Sequence, residues 1–198
     1  MNEMKKWPAS STFWLFSLVL CFNFFTNSSL FAQKVKDVSK VYSLKGVEVD
    51  LPTLWSNKPV IFFFYSVDCP LCRNYTKSVN DLSKQYQGKA NLYMVFSGKH
   101  QKKGDINKYI NKYKIEAGIL TDPKYRLSEA VNANITPEAV LIKDGEIIYS
   151  GAIDDWVIRL GSTKTNVKEH YLEDALKKTL EGRKVSVKHV NAIGCYIK

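Results

Sequence analysis

The sequence predicts an α/β fold in which a mixed β-sheet lies between helices. Three observations support this. The run Val60–Tyr65 is apolar throughout, as in a central strand that is buried on both faces. A helical pattern of apolar residues follows it directly, so strand and helix alternate along the chain. Further on, the dipeptide Asp144-Gly145 joins two apolar runs, which is typical of an antiparallel hairpin.

The first half of the predicted domain contains a hairpin, a strand and a helix. Residues 41–51 alternate loosely around Gly46, which favours an edge hairpin. The helix after Val60–Tyr65 ends at Gly88. Its apolar stripe recurs at spacings of three and four and consists of Cys72, Tyr75, Val79, Leu82 and Tyr86.

The second half alternates in the same way. In chain order we predict a strand at Leu92–Phe96, a helix around Ile106–Tyr113, a short strand at Ile119–Leu120, a short helix at Leu127–Val131, a hairpin of Ala139–Ile142 with Ile147–Tyr149, and a helix at Leu172–Leu180. We expect the domain to span residues 33–182. The tail, residues 183–198, has little periodicity and contains Cys195.

The composition is that of an ordinary globular protein. The 198 residues are 45% hydrophobic and 24% charged, which excludes collagen-like, low-complexity and disordered chains. No repeat of roughly 20–50 residues is visible, so solenoids and propellers are excluded as well. The net charge of +10 comes from dispersed lysines. The densest patch, residues 99–103, is predicted to lie in a loop flanked by Gly98 and Gly104, without interleaved aromatic side chains. We therefore expect a solvated basic surface and no nucleic-acid partner.

The N-terminus has the pattern of a secretory signal peptide. Lys5 and Lys6 precede the apolar run 13–25, and Ala32 supplies a small residue for cleavage. We expect residues 1–32 to be removed and the protein to be periplasmic or secreted. The apolar run is shorter than the roughly 20 residues of a membrane span, so we expect no stable span.

The positions of the cysteines are consistent with export by a cleaved signal peptide. A lipoprotein would use Cys21, but Leu20 stands where lipid-attachment signals carry Gly or Ala. Cleavage removes Cys21 and leaves Cys69, Cys72 and Cys195 in an oxidising compartment, where disulfide chemistry persists.

Cys69 and Cys72 carry the chemistry, because two cysteines separated by two residues stand at a predicted strand-to-helix junction. Haem attachment requires His after the second cysteine, but Arg73 follows. A zinc site needs four ligands, and Cys195 and the histidines lack ligand spacing. A purely structural disulfide across so short a loop removes little chain entropy. Redox exchange is the interpretation we favour, with no metal and no cofactor.

The position of each cysteine predicts its role. Cys69 is predicted just before or at the first helical turn, where unpaired N–H groups and the helix dipole stabilise a thiolate. Pro70 suits the first helical position, since its missing N–H costs nothing there. Cys72 lies on the apolar stripe and faces inward. We therefore expect Cys69 to be the outer, nucleophilic thiol and Cys72 the resolving thiol.

The sequence resembles the thioredoxin-like superfamily, and more closely the exported redoxins of the AhpC/TSA type. The resemblance covers about residues 41–155 and is carried by residues 62–72, which end in Cys-Pro-Leu-Cys, by Thr136-Pro137 and by Asp144-Gly145. It implies a thioredoxin-like fold, with a central mixed sheet flanked by helices. It also implies that Pro137 is a cis-proline beside the cysteines, and that Thr136 offers backbone groups to a substrate strand.

The chain also departs from these families. Phe63 stands where thioredoxins carry a buried acidic residue, so another group or water must handle the proton. Ser66 matches the hydroxyl position of the peroxiredoxin motif, but Phe62 replaces its proline and no arginine is assignable to a peroxide site. Copper-chaperone redoxins use a downstream His, and residues 104–169 contain none.

We predict an exported thiol–disulfide oxidoreductase that acts on protein or small-molecule disulfides, with a thiol- or disulfide-bearing substrate and an upstream redox partner. Two alternatives stay open. One is a peroxiredoxin-like thiol peroxidase, in which Ser66 is an auxiliary group. The other is a non-enzymatic binding module with a redoxin fold.

Cys195 is the remaining thiol of the exported chain. Gly194 gives the backbone before it freedom to turn, and the tail is long enough to fold back over the domain. We predict that Cys195 is an auxiliary thiol, free in the resting protein. It can exchange with Cys69 and Cys72 only if the tail docks near Pro137, because a disulfide requires close Cα atoms.

Overall fold

The computed structural model describes Val35 and residues 40–197. The predicted signal peptide, residues 1–32, lies outside the described residues, so the cleavage site and the domain boundary at residue 33 remain predictions. None of the described helices combines the length and the apolar character that crossing a membrane requires.

The chain forms an α/β structure with a mixed sheet. The strands are β1 (Val41–Ser43), β2 (Glu48–Val49), β3 (Val60–Tyr65), β4 (Asn91–Ser97), β5 (Gly118–Asp122), β6 (Ile135–Thr136), β7 (Glu138–Lys143), β8 (Glu146–Gly151), β9 (Val157–Arg159), β10 (Ser162–Thr163), β11 (His189–Val190) and β12 (Cys195–Tyr196). The helices are α1 (Leu51–Trp55), α2 (Pro70–Gln85), α3 (Lys103–Tyr113), α4 (Arg126–Ala130) and α5 (Tyr171–Leu180).

The main sheet has the strand order β11-β8-β7-β3-β4-β5-β1-β2. Strand β3 is parallel to β4 and antiparallel to β7, so the sheet is mixed at its centre. All six residues of β3 are buried, as the unbroken apolar run predicted. Phe63 and Tyr65 pack with the cysteine pair on one face, and Phe62 and Phe64 pack on the other. The central strand thus divides the core into two layers.

Helices cover both faces of the sheet. Buried side chains of α2, α3 and α5 belong to the layer that contains Cys72, and those of α1 and α4 belong to the opposite layer. The predicted stripe of α2 is confirmed, since Cys72, Tyr75, Val79 and Leu82 are buried. Because α2 follows β3 directly, its first turn lies at the carboxyl end of a central strand, which is where α/β folds place their sites.

Two local predictions were wrong in their boundaries. The first hairpin ends at β2, and Leu51 begins the short helix α1 instead of closing the hairpin. Pro52 stands in the first turn of that helix, where a missing N–H is tolerated. In the basic patch, Lys103 and Gly104 belong to α3 and not to a loop.

The tail forms two short strands that periodicity did not predict. Strand β11 pairs in parallel with β8, at the edge of the main sheet. This approach is close: Gly151 has a φ of +118°, and a Cβ there would collide with the carbonyl of Val190. Strand β12 pairs antiparallel with β6. Strands of two residues are too short to carry a detectable alternation.

Candidate active site

Cys69 and Cys72 lie at the junction of β3 and α2, as predicted. Cys69 is the N-cap residue of α2, and Pro70 occupies its first turn. The backbone N–H of Cys69 donates to the carbonyl of Ser66 at 3.3 Å, and its carbonyl accepts from the N–H of Arg73 at 3.3 Å. A turn before the helix and the first helical hydrogen bond therefore hold the Cys69 backbone on both sides.

The two thiols have pKa values shifted in opposite directions. The Cys72 thiol donates a hydrogen bond to the Cys69 sulfur. This bond lowers the pKa of Cys69 to about 5, against the opposing effect of burial. The helix N-terminus acts in the same direction. Burial raises the pKa of Cys72 well above its ordinary value, and the nearby charge of Cys69 raises it further. At neutral pH the pair consists of a thiolate at Cys69 and a thiol at Cys72.

The side chain of Gln101 orders the loop before the cysteines. Its Nε2 donates to Ser66 Oγ at 2.9 Å, and its Oε1 accepts from the N–H of Val67 at 3.2 Å. Ser66 Oγ also accepts from the N–H of Asp68 at 3.3 Å, and the N–H of Ser66 points at Cys72 Sγ at 3.5 Å. Sequence reasoning missed Gln101, because it lies within the basic patch that we interpreted as a solvated surface.

The Thr136–Pro137 peptide bond is cis, as the resemblance implied. The carbonyl of Thr136 lies 3.2 Å from Cys69 Sγ and accepts a hydrogen bond from the protonated thiol. The loop between α4 and β7 therefore reaches the cysteine pair and places backbone polar groups beside the Cys69 sulfur.

Cys195 lies at the same site. Strand β12 pairs with β6 so that Cys195 stands opposite Thr136, and its sulfur lies 2.6 Å from Cys69 Sγ. Cys69, Cys72 and Cys195 are free thiols, and no disulfide joins any two of them. The structure thus provides the docking near Pro137 on which the predicted exchange of Cys195 depends.

The tail changes the surroundings of Cys69. We expected Cys69 to be the outer thiol, but its side chain is 2% exposed and that of Cys72 is fully buried. The docked β12 strand contributes to this burial because the Cys195 side chain contacts the Cys69 sulfur. Burial is also the largest cause of the raised pKa of Cys195. Together with the neighbouring Cys69, it raises that pKa to about 11.

A buried carboxylate supports the strand that the tail pairs with. Glu138 Oε2 accepts hydrogen bonds from the N–H groups of Asn134 and Ile135, at 3.0 and 3.1 Å. The side chain is 6% exposed, and burial raises its pKa despite these two bonds. Glu138 alternates with Ala139 on β7 and faces the layer opposite the cysteines, so it shapes the β6 backbone and does not touch the thiols.

The position of the missing acidic residue is filled by an aromatic layer. Phe63 is fully buried, and Tyr65 follows on the same face of β3. The Tyr65 hydroxyl is buried without a hydrogen-bond partner in the described part of the chain. Burial is the main cause that raises the pKa of this hydroxyl well above its ordinary value. The electrostatic effect of Cys72 is the second cause. This hydroxyl is the polar group that β3 contributes to the layer around the pair.

A groove of about 270 Å³ opens beside Pro137. Its walls include Tyr75, Ile158 and Tyr171 from the domain, and Val190 and Ile193 from the tail. The described residues contain no group of three or more His, Cys, Asp or Glu side chains arranged to hold a metal ion.

The fold and the cysteine pair define a redoxin with a thioredoxin-like structure. The sequence model of the AhpC/TSA family matches residues 31–150, which is more than half of the chain and includes Cys69, Cys72, Thr136 and Pro137. The chain therefore belongs to the AhpC/TSA family. The match ends before the tail, so Cys195 lies outside the part that defines the family.

Individual relatives are similar in sequence or in fold. A thioredoxin-like protein of Haemophilus influenzae is 24% identical over 129 residues, which cover 63% of this chain and 75% of that protein. A hypothetical protein of Sinorhizobium meliloti has a similar structure, with a TM-score of 0.74, 22% identity and coverage of 87% of this chain and 96% of that one. A secreted disulfide oxidoreductase of Mycobacterium tuberculosis, homologous to Escherichia coli DsbE, has a TM-score of 0.50, 16% identity and coverage of 72% and 94%. The predicted thioredoxin-like fold is confirmed.

Proposed function

We propose that this protein is an exported thiol–disulfide oxidoreductase in which Cys69 is the nucleophile and Cys72 the resolving thiol. The observation that carries the proposal is the opposite state of two adjacent thiols at a helix N-terminus. The pKa of Cys69 is lowered to about 5, while burial raises that of Cys72 well above its ordinary value. An attacking thiolate and a protonated thiol in reserve are the two groups that disulfide exchange requires.

The reaction has two exchange steps. The Cys69 thiolate attacks one sulfur of a substrate disulfide, which forms a mixed disulfide and releases the other substrate sulfur as a thiolate. The negative charge leaves Cys69 in this step, so its contribution to the raised pKa of Cys72 disappears. Cys72 then loses its proton to solvent and attacks the Cys69 sulfur. The second substrate thiolate leaves, and the protein holds a Cys69–Cys72 disulfide.

A redox partner completes the cycle. A dithiol partner reduces the Cys69–Cys72 disulfide by the same two exchanges, so that two electrons pass from the partner to the substrate. Run in reverse, these steps oxidise a dithiol substrate. Both directions require a thiol- or disulfide-bearing molecule on each side of the cycle.

Thr136 and Pro137 are the residues that we assign to substrate binding. Strand β6 pairs antiparallel with β12 of the tail, so its edge at Thr136 accepts an added strand. The carbonyl of Thr136 lies 3.2 Å from the Cys69 sulfur. The groove beside Pro137 adds apolar side chains next to this edge, and its lining also includes Asp154, Asp155 and Lys164. An extended peptide segment that carries a cysteine satisfies both features by strand addition, with backbone hydrogen bonds supplying affinity.

Export is part of the proposal. It is supported by the charged, apolar and small-residue pattern of residues 1–32. The secreted mycobacterial disulfide oxidoreductase of the same fold is consistent with both the activity and the compartment. Cell fractionation followed by N-terminal sequencing of the exported protein tests this part. Protein that stays in the cytoplasm contradicts export, and an intact Met1 in the exported fraction contradicts cleavage.

The activity is tested by reduction of insulin disulfides with a dithiol donor. We expect the wild-type protein to accelerate the reaction and Cys69→Ala to reduce it to the rate of the donor alone. Lys108→Ala, on the exposed side of α3, is the control for expression and folding. Equal rates for wild type and Cys69→Ala contradict the proposal and favour a non-enzymatic binding module.

The substrate is identified by trapping. In Cys72→Ser/Cys195→Ser both thiols that lie near the Cys69 sulfur are removed, so the second exchange is blocked and mixed disulfides at Cys69 accumulate in the source cell. The triple variant Cys69→Ser/Cys72→Ser/Cys195→Ser is the matched control, and we expect it to trap nothing. The reproducible absence of a mixed disulfide in Cys72→Ser/Cys195→Ser again favours the binding module.

A further inference from the structure

Strand β12 occupies the edge at which a substrate strand is expected to pair. Cys195 stands opposite Thr136 and Tyr196 opposite Ile135 in an antiparallel register. The N–H of Ile197 donates to the carbonyl of Asn134 at 3.0 Å, and Thr136 Oγ1 donates to the carbonyl of Cys195 at 3.3 Å. These contacts are the ones that strand addition by an external peptide would make.

The strand also presents a cysteine to the nucleophile. Cys195 Sγ donates to Cys69 Sγ at 2.6 Å, which is longer than the roughly 2.05 Å of an S–S bond. The two residues are 126 positions apart in the sequence. The tail therefore reproduces both parts of a substrate, an extended strand and a sulfur within reach of Cys69.

Side chains apart from the thiols hold this strand in place. Ile197 is 5% exposed and packs in the core layer opposite the cysteine pair. Gly194 lies so close to Thr136 that a Cβ would collide with the Thr136 carbonyl. Glu138 fixes the backbone of Asn134 and Ile135, to which the strand binds. The docking thus rests on an apolar anchor, a glycine contact and a braced partner strand.

We propose that residues 194–197, which we call the latch, are a tethered substrate strand, and that Cys195 is a third redox thiol that exchanges with the Cys69–Cys72 disulfide. The inference rests on the proposed function, because the Cys69–Cys72 disulfide is formed by a disulfide-bearing substrate. An external substrate strand pairs with Thr136 only after the latch leaves.

The exchange balances without a further oxidant. The Cys195 thiolate attacks Cys69 Sγ, the Cys69–Cys72 bond breaks, and a Cys69–Cys195 bond forms while Cys72 leaves as a thiolate. The proton lost from Cys195 is taken up by Cys72. In the reduced protein the Cys69 charge helps to keep Cys195 protonated, and that influence is absent once Cys69 is in a disulfide.

The two disulfides give the site two states. With a Cys69–Cys195 bond the latch is covalently closed, and Cys69 is inaccessible to a substrate strand. With Cys195 reduced, the latch is held by its noncovalent contacts alone and opens by local unfolding of the tail. The redox state of the surroundings therefore sets access to the nucleophile.

Two variants and a matched control test the latch, beside Cys72→Ser. Cys195→Ser removes the third thiol, so we expect no disulfide between Cys69 and the tail in this variant. Gly194→Ala keeps the thiol but places a methyl group against the Thr136 carbonyl, so we expect it to undock the strand. Tyr196→Ala is the matched control, because that side chain is 80% exposed and is not needed to hold the latch in place.

The first measurement is a non-reducing peptide map after equilibration in a glutathione redox buffer. We expect a Cys69–Cys195 linked peptide in wild type, in Tyr196→Ala and, in greater yield, in Cys72→Ser. We expect its yield to fall by about tenfold or more in Gly194→Ala, because an undocked strand loses its effective concentration at Cys69. Absence of the linked peptide from both wild type and Cys72→Ser overturns the proposal.

The second measurement is the rate at which reduced Cys69 reacts with iodoacetamide, read by mass spectrometry of its peptide. A covered thiol reacts through local opening, so we expect Gly194→Ala to react about tenfold faster or more, with Tyr196→Ala unchanged. Equal rates in all variants overturn the latch. Insulin reduction separates this failure from failure of the proposed function. A missing linked peptide with full activity rejects the latch alone, and a linked peptide without activity in any variant rejects the oxidoreductase alone.

Discussion

Gln101 and Ser66, 35 residues apart, are joined by a hydrogen bond of 2.9 Å from the Gln101 amide nitrogen to the Ser66 hydroxyl. The same side chain accepts the N–H of Val67, so one amide satisfies two groups of the loop that leads into the cysteine pair. Gln101 is 8% exposed and lies just before α3. The start of α3 is thereby connected to the position of the nucleophile.

Replacing Gln101 tests this connection. We expect Gln101→Ala to lower the free energy of unfolding by about 1–3 kcal/mol, because the Val67 N–H and the Ser66 hydroxyl lose a partner where water has little access. Denaturant titration measures the change. Gln87→Ala, on the exposed surface after α2, is the matched control, and we expect it to stay within about 0.5 kcal/mol of wild type. Similar values for the two variants contradict a bracing role for Gln101.

The ionisation of Cys69 depends first on Cys72. The hydrogen bond from the Cys72 thiol is the largest cause of the lowered pKa, about 5, of Cys69. We expect Cys72→Ala to raise the pKa of Cys69, and ultraviolet thiolate absorbance against pH measures the midpoint. Cys69→Ala lacks the transition and assigns it. An unchanged midpoint in Cys72→Ala contradicts a contribution of the Cys72 hydrogen bond and leaves the hydrogen bonds with Cys195 and Thr136 as the causes.

The same ionisation makes the stability of the reduced protein depend on pH. The pKa of Cys69 falls from 9.0 in an unperturbed thiol to about 5 in the folded state, so folding is favoured where Cys69 is a thiolate. This contribution is fully present above pH 9 and is lost as the pH falls towards 5. We expect the difference in unfolding free energy between wild type and Cys69→Ala to shrink over that interval. A difference that is constant with pH contradicts a native thiolate.

Glu138 gives a pH dependence of the opposite sign. Burial raises its pKa in the folded state, so its contribution to stability is present below the ordinary carboxyl pKa and is lost as the pH rises through the raised value. Glu138→Gln removes this titration and keeps an oxygen acceptor for Asn134 and Ile135. We expect the variant to gain stability relative to wild type as the pH rises from 4 to 7, measured by thermal unfolding.

The control for Glu138 is Glu48→Gln on β2, whose carboxylate is about half exposed. We expect no comparable gain there, since an exposed carboxylate keeps its hydration. A gain of the same size at both positions assigns the effect to net charge and not to burial.

Peroxide separates disulfide exchange from a thiol peroxidase. Ser66 Oγ already accepts hydrogen bonds from Asp68 and Gln101, and Cys69 is 2% exposed. We therefore expect stoichiometric peroxide to oxidise Cys69 no faster than free cysteine, as measured by mass spectrometry of the Cys69 peptide over time. Faster oxidation that depends on Ser66 supports the peroxidase alternative.

Local patterns predicted the centre of the fold. The apolar run of β3 and the stripe of α2 follow from alternation and helical spacing, and both lie where we expected them. The cysteine pair at their junction was visible for the same reason, since a strand and the helix after it are neighbours in sequence. The cis bond at Pro137 came from the family resemblance and is confirmed, although no spacing rule would have predicted it.

Contacts between distant segments escaped prediction. Gln101 belongs to a lysine-rich segment, and only its hydrogen bonds with the distant loop at Ser66 and Val67 show that its amide faces inward. Glu138 is a single acidic residue in an apolar strand, and its role depends on the N–H groups of the preceding turn. A polar side chain that forms hydrogen bonds with another segment produces no periodic pattern in the segment to which it belongs.

The sequence by itself determined the central strand, the helix that follows it and the cysteine pair between them, because each depends on residues within one or two turns. Only the tertiary structure decided that Cys195 meets Cys69. The two residues of β12 carry no alternation, and their docking depends on the burial of Ile197 and on Gly194 lying against Thr136. Those contacts join segments about 60 residues apart, and such proximity is a property of the folded chain and not of any local pattern.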